Sequence, residues 1–276
     1  MITLDQTLGN SALVSNNEER IAQILRIRNL DRVNRESESV HFTETAYVKY
    51  VKRALDLLVA VPAFTITLPF NLIFSMITYF DVGRPVFFKQ TRAGKDGKSF
   101  VMIKFRNMNE KKDPDGKLLS PSERVTKFGR FMRKYSLDEL LNFVSVIKGD
   151  MSIIGPRPMP LFIEERMSMR HKGRLKVRPG LECPRVVHID RAEAGAWHEE
   201  FENAVWYAEH VSFSTDLKML LLLVKMTLSI KQRSKNAGGL GYFIGYDDYG
   251  HATSIKRLKQ DFPLMMEEET GNEPVH

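Results

Sequence analysis

The 276-residue chain has a single cysteine, Cys183, which excludes a disulfide within the chain and fits a reducing compartment. Its seven histidines are scattered at positions 41, 171, 188, 198, 210, 251 and 276. None stands at zinc-ligand spacing from Cys183, so a structural zinc site is not expected. The N-terminus lacks a basic stretch followed by an apolar run, so a cleaved signal peptide is not expected either. No segment repeats along the chain.

What is present begins with charge. Lys and Arg number 41 against 34 Asp and Glu, a formal net charge of +7. A basic balance suggests an anionic partner, whether lipid headgroups, nucleotide phosphates or nucleic acid, and does not choose between them. Against this background, residues 57–80 (LLVAVPAFTITLPFNLIFSMITYF) carry no charge at all. About 20 apolar residues suffice to cross a bilayer, and the alternative is a buried core helix. Pro62 and Pro69 each remove a backbone donor and can kink a helix. Both flanks are basic, with Lys49, Lys52 and Arg53 before and Arg84, Lys89 and Arg92 after, so the positive-inside rule shows no asymmetry. A helix–break–helix that enters and leaves on the cytoplasmic face satisfies both flanks. Thr65 and Thr67 stand near enough to serve backbone groups freed at a break.

Four segments follow from this reading: a polar extension (1–48), the apolar membrane segment with its basic lead-in (49–80), a working domain (81–232) and a tail (233–276). In the extension, Ser15 and Glu18 form a capping box ahead of Ile21, Ile24, Leu25 and Ile27, with Arg20, Arg26, Arg28 and Arg32 interspersed. This predicts a short amphipathic helix on the protein or membrane surface, or an exposed accessory helix. In the working domain, two β-rich runs around Gly94 and Gly97 predict a hairpin. Helices are predicted at 122–134, 137–148, 159–171, 197–211 and 216–232. The last is apolar on most sides, with Lys218, Lys225 and Lys231 placed to snorkel at a membrane interface; a packed core helix is the alternative. The tail reads as irregular. The fold class is α+β, mainly α: a re-entrant membrane helix and a compact cytoplasmic helical domain with a small β-hairpin.

The chemistry concentrates at Tyr135-Ser136-Leu137-Asp138-Glu139-Leu140-Leu141. Ser136 and Glu139 form a second capping box. Leu137, Leu140, Leu141 and Val144 predict a buried stripe, and Lys148-Gly149 a helix stop. Asp138 then falls in the first helical turn, where the dipole favours anions. Its carboxylate could attack phosphorus and form an acyl phosphate. Alternatively, Asp138 and Glu139 merely complement the helix end. The next block, Lys148-Gly149-Asp150 through Gly155-Pro156-Arg157-Pro158, adds Asp150, able to reach a metal or orient a base. It also holds Arg157 between two stiffening prolines, which suits phosphate recognition. Lys104 and Arg106, Arg133, and Arg178 in Arg178-Pro179-Gly180 complete a set of cations around an acid pair, as phosphoryl chemistry on a diphosphate needs.

Lys52-Arg53-Ala54-Leu55-Asp56, Lys104-Phe105-Arg106-Asn107-Met108, Ser136-Leu137-Asp138-Glu139-Leu140, Gly149-Asp150-Met151-Ser152 with Gly155-Pro156-Arg157-Pro158, and Arg178-Pro179-Gly180 together resemble the bacterial sugar transferases, the monotopic phosphoglycosyl transferases that act on polyprenyl phosphate. The resemblance covers roughly residues 48–230. It implies a re-entrant helix with its break near Pro69, and a catalytic dyad of Asp138 as nucleophile with Glu139 assisting in metal binding or proton transfer. It implies transfer of a sugar phosphate from a UDP-sugar to polyprenyl phosphate with release of UMP. Magnesium would be held at Asp138 and Glu139, phosphate contacts made by Lys104, Arg133, Arg157 and Arg178, and Arg106 and Asp150 would be further substrate-binding residues. The expected setting is the cytoplasmic face of a bacterial inner membrane, with downstream glycosyltransferases as further partners and no nucleic acid. One departure stands out: after the Arg-Pro-Gly turn the chain reads Leu181-Glu182-Cys183-Pro184-Arg185, which removes the usual clue to the sugar. A reading from another class, a non-catalytic membrane-anchored basic protein binding anionic lipid or nucleic acid, accounts for the charge and the apolar run but not for the acid pair.

Overall fold

The structure, a computed structural model, describes residues 16–228 and 241–261. Its first element, α1 (Asn16–Glu36), buries Ile21, Ala22 and Leu25 and turns Arg20, Arg26 and Arg28 to the surface. The Ser15–Glu18 capping box lies outside the described residues. A short π-helical turn, Tyr47–Val51, leads into α2 (Lys52–Val82), which contains the whole apolar run.

With a rise of 1.5 Å per residue, a straight helix of this length would be about 46 Å long, more than a bilayer core of about 30 Å. It is the one helix among the described residues long and apolar enough to cross a membrane, and only 11% of its most apolar 18-residue window is buried. Leu58, Ile66, Leu72 and Phe80 are each at least 66% exposed, which removes the core-helix alternative. The break expected near Pro69 does not interrupt the helix: α2 continues through Pro62 and Pro69. The Thr65 and Thr67 hydroxyls donate to the carbonyls of Val61, Ala63 and Phe64. They do not reach Leu58 and Thr65, whose carbonyls lose an amide donor to the proline rings.

Polar residues at the two ends of α2 fasten it to one globular body. Lys52 pairs with Asp216 at 2.6 Å, both side chains nearly buried. Asp216 also accepts from the hydroxyls of Tyr47 and Tyr207. Arg53 donates to the carbonyls of Val146 and Ile147, and Asp56 accepts from the Ser152 hydroxyl and the Ile153 amide. At the far end, Phe74 meets Phe105 edge-on at 6.3 Å, Arg106 donates to the Val82 carbonyl, and Thr126 donates to Asp81.

The body begins with the predicted hairpin, β1 (Phe87–Ala93) against β2 (Ser99–Phe105), antiparallel with Arg92 opposite Phe100 and Phe88 opposite Lys104. The helix expected at 122–134 is two: α3 (Pro121–Arg124) and α4 (Lys127–Lys134). Between them Val125 bridges to Met108, and Thr126 caps α4 by accepting from the Gly129 amide. Then come α5 (Asn142–Lys148) and β3 (Ser152–Ile154). The helix expected at 159–171 is likewise divided into α6 (Leu161–Glu165) and α7 (Met169–Lys172), with Ser168 capping α7. β4 (Gly180–Glu182) pairs in parallel with β3.

α8 (Ala196–His210) and α9 (Phe213–Leu228) follow near their predicted bounds; Lys231 lies outside the described residues. α9 buries Met219 but exposes Leu217, Leu221 and Val224, so it is not a helix packed on all sides. The tail is not irregular where it is described. β5 (Phe243–Tyr246) and β6 (Ala252–Ser254) form an antiparallel hairpin, and α10 (Ile255–Asp261) continues from it. β5 is buried at every residue, so it lacks the polar alternation that marks a strand in sequence. It packs against α1, and Asn29 donates to the Tyr246 carbonyl. Among the described residues the architecture is thus mainly helical with three two-stranded sheets.

The buried Lys52–Asp216 pair generates a prediction. Asp216→Asn leaves the Lys52 ammonium uncompensated beside Tyr207, and should destabilise the protein by about 3–5 kcal/mol. Thermal unfolding in detergent measures it; a midpoint equal to that of the unaltered protein contradicts the fastening role.

Candidate active site

Asp138 is presented by one 3-10 turn, Leu137–Glu139, and not by the first turn of a helix. Ser136 stands in the left-handed region (φ 55°, ψ 26°), uncommon for a residue with a Cβ, and its hydroxyl caps nothing. The expected helix at 137–148 therefore begins only at Asn142. The Ser136–Glu139 capping box does not form, and the helix-dipole argument for Asp138 falls with it. The buried face is Asn142, Ser145 and Val146, with the predicted leucine stripe half-buried. Lys148-Gly149 ends α5 as expected, Gly149 adopting φ 93°.

Glu139 is released from capping to gather cations. Its Oε1 accepts from Lys104 Nζ at 2.5 Å and from Arg157 Nη2 at 3.2 Å. Lys104 comes from the end of β2. Arg157 is held by its neighbours: Arg174 donates to its carbonyl, and Arg92 to the carbonyl of Pro158. The loop that carries it is seated by two glycines. A Cβ on Gly180 would lie 2.1 Å from the Gly155 nitrogen, and one on Gly155 2.5 Å from the Arg178 carbonyl oxygen. Only glycine permits that contact, which locks the two Pro-containing motifs together.

Asp138 is 7% exposed and takes one side-chain hydrogen bond, from Asn107 Nδ2 to Oδ2 at 3.2 Å. Asn107 in turn accepts from Arg133 Nη2 at 2.8 Å. The Asn107 backbone lies against Gly129, where a Cβ would come 2.2 Å from its carbonyl oxygen. Lys104, Arg133, Arg157 and both acids thus come together. Arg106, Asp150 and Arg178 do not join them. Arg106 holds the end of α2 and pairs with Glu110, Asp150 pairs with Lys148, and Arg178 makes no ion pair with either acid among the described residues.

Two further residues take part, to which the sequence assigns no site role: Asn107, within the Lys104–Met108 motif, and Arg92, a basic flank of the apolar run. Residues directly opposite in an antiparallel pair share a face. The hairpin register therefore puts Arg92 on the same face as Lys104, a signal available once the turn at Gly94–Gly97 is located.

Charge is unevenly balanced here. Burial raises the Asp138 pKa, Glu139 raises it further, and Lys104 and Arg133 only partly oppose this. Burial pushes Glu139 upward too, but Arg157 and Lys104 outweigh it and hold that carboxyl below its ordinary value. Burial lowers the Lys104 pKa, with Glu139 opposing. Burial likewise lowers Arg92 to about 10. The dyad is thus one neutralised carboxylate beside one under-compensated carboxylate. Among the described residues no group of three or more His, Cys, Asp or Glu side chains could hold a metal. Magnesium needs no such cage when substrate phosphates supply ligands. The under-compensated Asp138, with Glu139 beside it, fits that use.

The model of the bacterial sugar transferase family matches residues 47–229. The chain belongs to the bacterial sugar transferase family. It is 39% identical over 183 residues to the uncharacterized sugar transferase EpsL of Bacillus subtilis, covering 64% of this chain and 87% of that one. It is 32% identical over 186 residues to a UDP-N-acetylgalactosamine-undecaprenyl-phosphate N-acetylgalactosaminephosphotransferase of Aeromonas hydrophila, covering 65% of this chain and 44% of that one. It is 37% identical over 175 residues to the UDP-glucose:undecaprenyl-phosphate glucose-1-phosphate transferase of Escherichia coli, covering 61% and 36%. The chain therefore spans most of the first relative and under half of the other two. The range matched by the sugar transferase family holds α2 through α9 and every residue around the dyad; α1 and the β5–β6 hairpin lie outside it.

The charge imbalance predicts the acid limb of transferase activity. A carboxylate with a raised pKa is lost as pH falls through that higher value, so kcat/KM should decline above the ordinary aspartate range. Glu139→Gln removes a like charge and should move the limb of the residual rate to lower pH. Lys104→Met removes an opposite charge and should move it to higher pH. Superimposable acid limbs in all three proteins would show that the rate does not depend on the Asp138 carboxylate.

Proposed function

We propose that this protein transfers a sugar phosphate from a UDP-sugar to polyprenyl phosphate at a membrane surface, through a covalent intermediate on Asp138. The observation that carries this reading is the asymmetry of the dyad: Glu139 is neutralised by Lys104 and Arg157, and Asp138 is buried without a full counter-charge. An under-solvated carboxylate with cations close by is suited to attack a phosphorus whose oxygens those cations neutralise.

In the first step an Asp138 carboxylate oxygen forms a bond to the β-phosphorus. The bond from that phosphorus to the bridging oxygen breaks, and UMP leaves. In the second step an oxygen of polyprenyl phosphate attacks the same phosphorus. The acyl-phosphate bond breaks, Asp138 is restored, and the product is a polyprenyl-diphosphate sugar. Lys104, Arg157, Arg133 and Arg92 neutralise the diphosphate, and Asn107 orients Asp138. Magnesium held by Asp138, Glu139 and donor phosphates would supply additional charge compensation. Named functions support the substrates: the Aeromonas and Escherichia relatives use undecaprenyl phosphate and differ in the sugar they transfer. The reaction fits an early membrane step in assembling a bacterial glycoconjugate. The non-catalytic reading does not suit a member of a transferase family.

The acceptor is a lipid, and α2 brings the site to it. Both ends of α2 are fastened to the same body, through Arg53 and Asp56 at one end and Arg106 and Asp81 at the other. This supports a helix that enters and leaves the bilayer on one face, the cytoplasmic one, bent but not broken at its prolines. The exposed Leu217, Leu221 and Val224 of α9 support a second contact, with Lys218 and Lys225 reaching the headgroups.

Two measurements test the reading. Asp138→Asn should abolish UMP release and leave no radiolabelled phosphosugar on the protein; undiminished turnover in that variant removes Asp138 as nucleophile. Engineered cysteines at Tyr50 and Arg84, both exposed, should react with a membrane-impermeant maleimide from the same side of sealed vesicles. Reaction from opposite sides establishes a full span.

A further inference from the structure

A second site lies where the start of α2 meets α9, and it does not depend on the transferase chemistry. A cavity of about 220 Å³ opens there between α2, β3 and α9. Leu55 and Val59 of α2, Ile153 and Ile154 of β3, and Leu217 and Leu220 of α9 supply its apolar wall. Val59 and Leu217 are exposed, so the wall runs out into the exposed apolar surface of α2 and α9. Lys52, Asp56 and Asp216 also line it. Asp216 is fully engaged: Oδ2 accepts from Lys52 and Tyr47, and Oδ1 from Tyr207. Asp56 is not. It is 4% exposed, and its Oδ1 takes both of its donors, the Ser152 hydroxyl at 2.8 Å and the Ile153 amide at 2.9 Å. Its Oδ2 is buried without a partner among the described residues. Leaving a buried carboxylate oxygen unpaired is costly, so the cavity calls for a hydrogen-bond donor there. Lys52 stands one turn before Asp56 on the same face of α2, and an ammonium has N–H groups beyond the one given to Asp216.

We propose that this cavity binds the hydroxyl end of an uncharged long-chain lipid, with Asp56 Oδ2 accepting from the hydroxyl and Lys52 donating to its oxygen. A hydroxyl both gives and accepts, as this pair requires. An ammonium head brings three donors to one spare acceptor. A phosphate head only accepts, and it would meet one lysine against two aspartates. Size and exposure point to a lipid. An apolar cavity of about 150 Å³ holds one benzene, so this one takes the head and the first carbons of a chain. The rest of the chain lies along the exposed apolar flank of α2 and α9, within the bilayer. Diacylglycerols and polyprenols both carry such an end. Bound there, the lipid braces α2 against α9 beside the Lys52–Asp216 pair.

The test measures binding of radiolabelled dioleoylglycerol and of radiolabelled polyprenol to the full-length protein in detergent. At least one should bind saturably, at about one per chain, and the tighter of the two names the source. Absence of saturable binding by both overturns the proposal. The acetate ester of the tighter lipid keeps the chain and loses the donor, so it should compete about tenfold less well or worse. Equal competition by the ester overturns the hydroxyl as the recognised group. So does displacement by polyprenyl phosphate or phosphatidylethanolamine at the concentration at which the unlabelled alcohol displaces. Leu217→Trp narrows the mouth and should weaken binding about tenfold or more. Asp56→Asn replaces the spare acceptor and should remove the preference for the alcohol over its ester. Either variant that folds and binds as the unaltered protein does overturns the placement. If Asp56→Asn loses its thermal transition, Leu217→Trp decides alone.

Discussion

The site depends on one carboxylate holding two cations. Glu139 draws Lys104 from the end of a β-hairpin and Arg157 from a Pro-flanked loop onto a single oxygen. Bringing in a carboxylate and two cations at partial burial costs desolvation, which their mutual attraction must offset. The result is local: Glu139 is satisfied, and its neighbour Asp138 is not. Any change that lets Lys104 or Arg157 drift alters both acids, because each cation also acts on Asp138. The supporting structure serves this geometry. Gly155 and Gly180 bring two segments to backbone contact, and Gly129 does the same for Asn107, two residues past the end of β2. Each replaces a side chain by a close approach that no other residue allows.

The charges around the apolar helix acquire a different meaning from the one their positions in the chain suggest. Basic residues flanking an apolar run are usually read against the membrane surface. Here Lys52 is turned inward to Asp216, and Arg53 caps the last carbonyls of α5, where a cation suits the helix C-terminus. Arg92 joins the site, and Arg106 closes the far end of the helix. These residues couple a lipid-facing element to the chemistry. The dyad is one short turn removed from α5, which Arg53 grips.

Parts of this were legible in the sequence. The uncharged run, the hairpin around Gly94–Gly97, the long helix at 197–211 and the helix stop at Lys148-Gly149 are local signals, and each appears. The acid pair and Lys104, Arg133 and Arg157 do converge. The helices at 122–134, 137–148 and 159–171 fared differently. Thr126, Ser136 and Ser168 each mark a local turn or cap that divides or delays them. The tail was illegible because β5 is buried throughout and shows no alternation.

What the sequence determined by itself is the chemistry at hand and the short-range shapes: an uncharged helix, a hairpin, stiff Arg-Pro turns, an acid pair. These depend on backbone propensity and neighbours within a few residues. The tertiary structure alone decided the pairing. Residues 104 and 157 meet at 139, while 106 and 150 turn to other partners. An ion pair between distant residues is set by where packed elements end. No periodicity in the chain records that, because the attraction acts through space and not along the backbone.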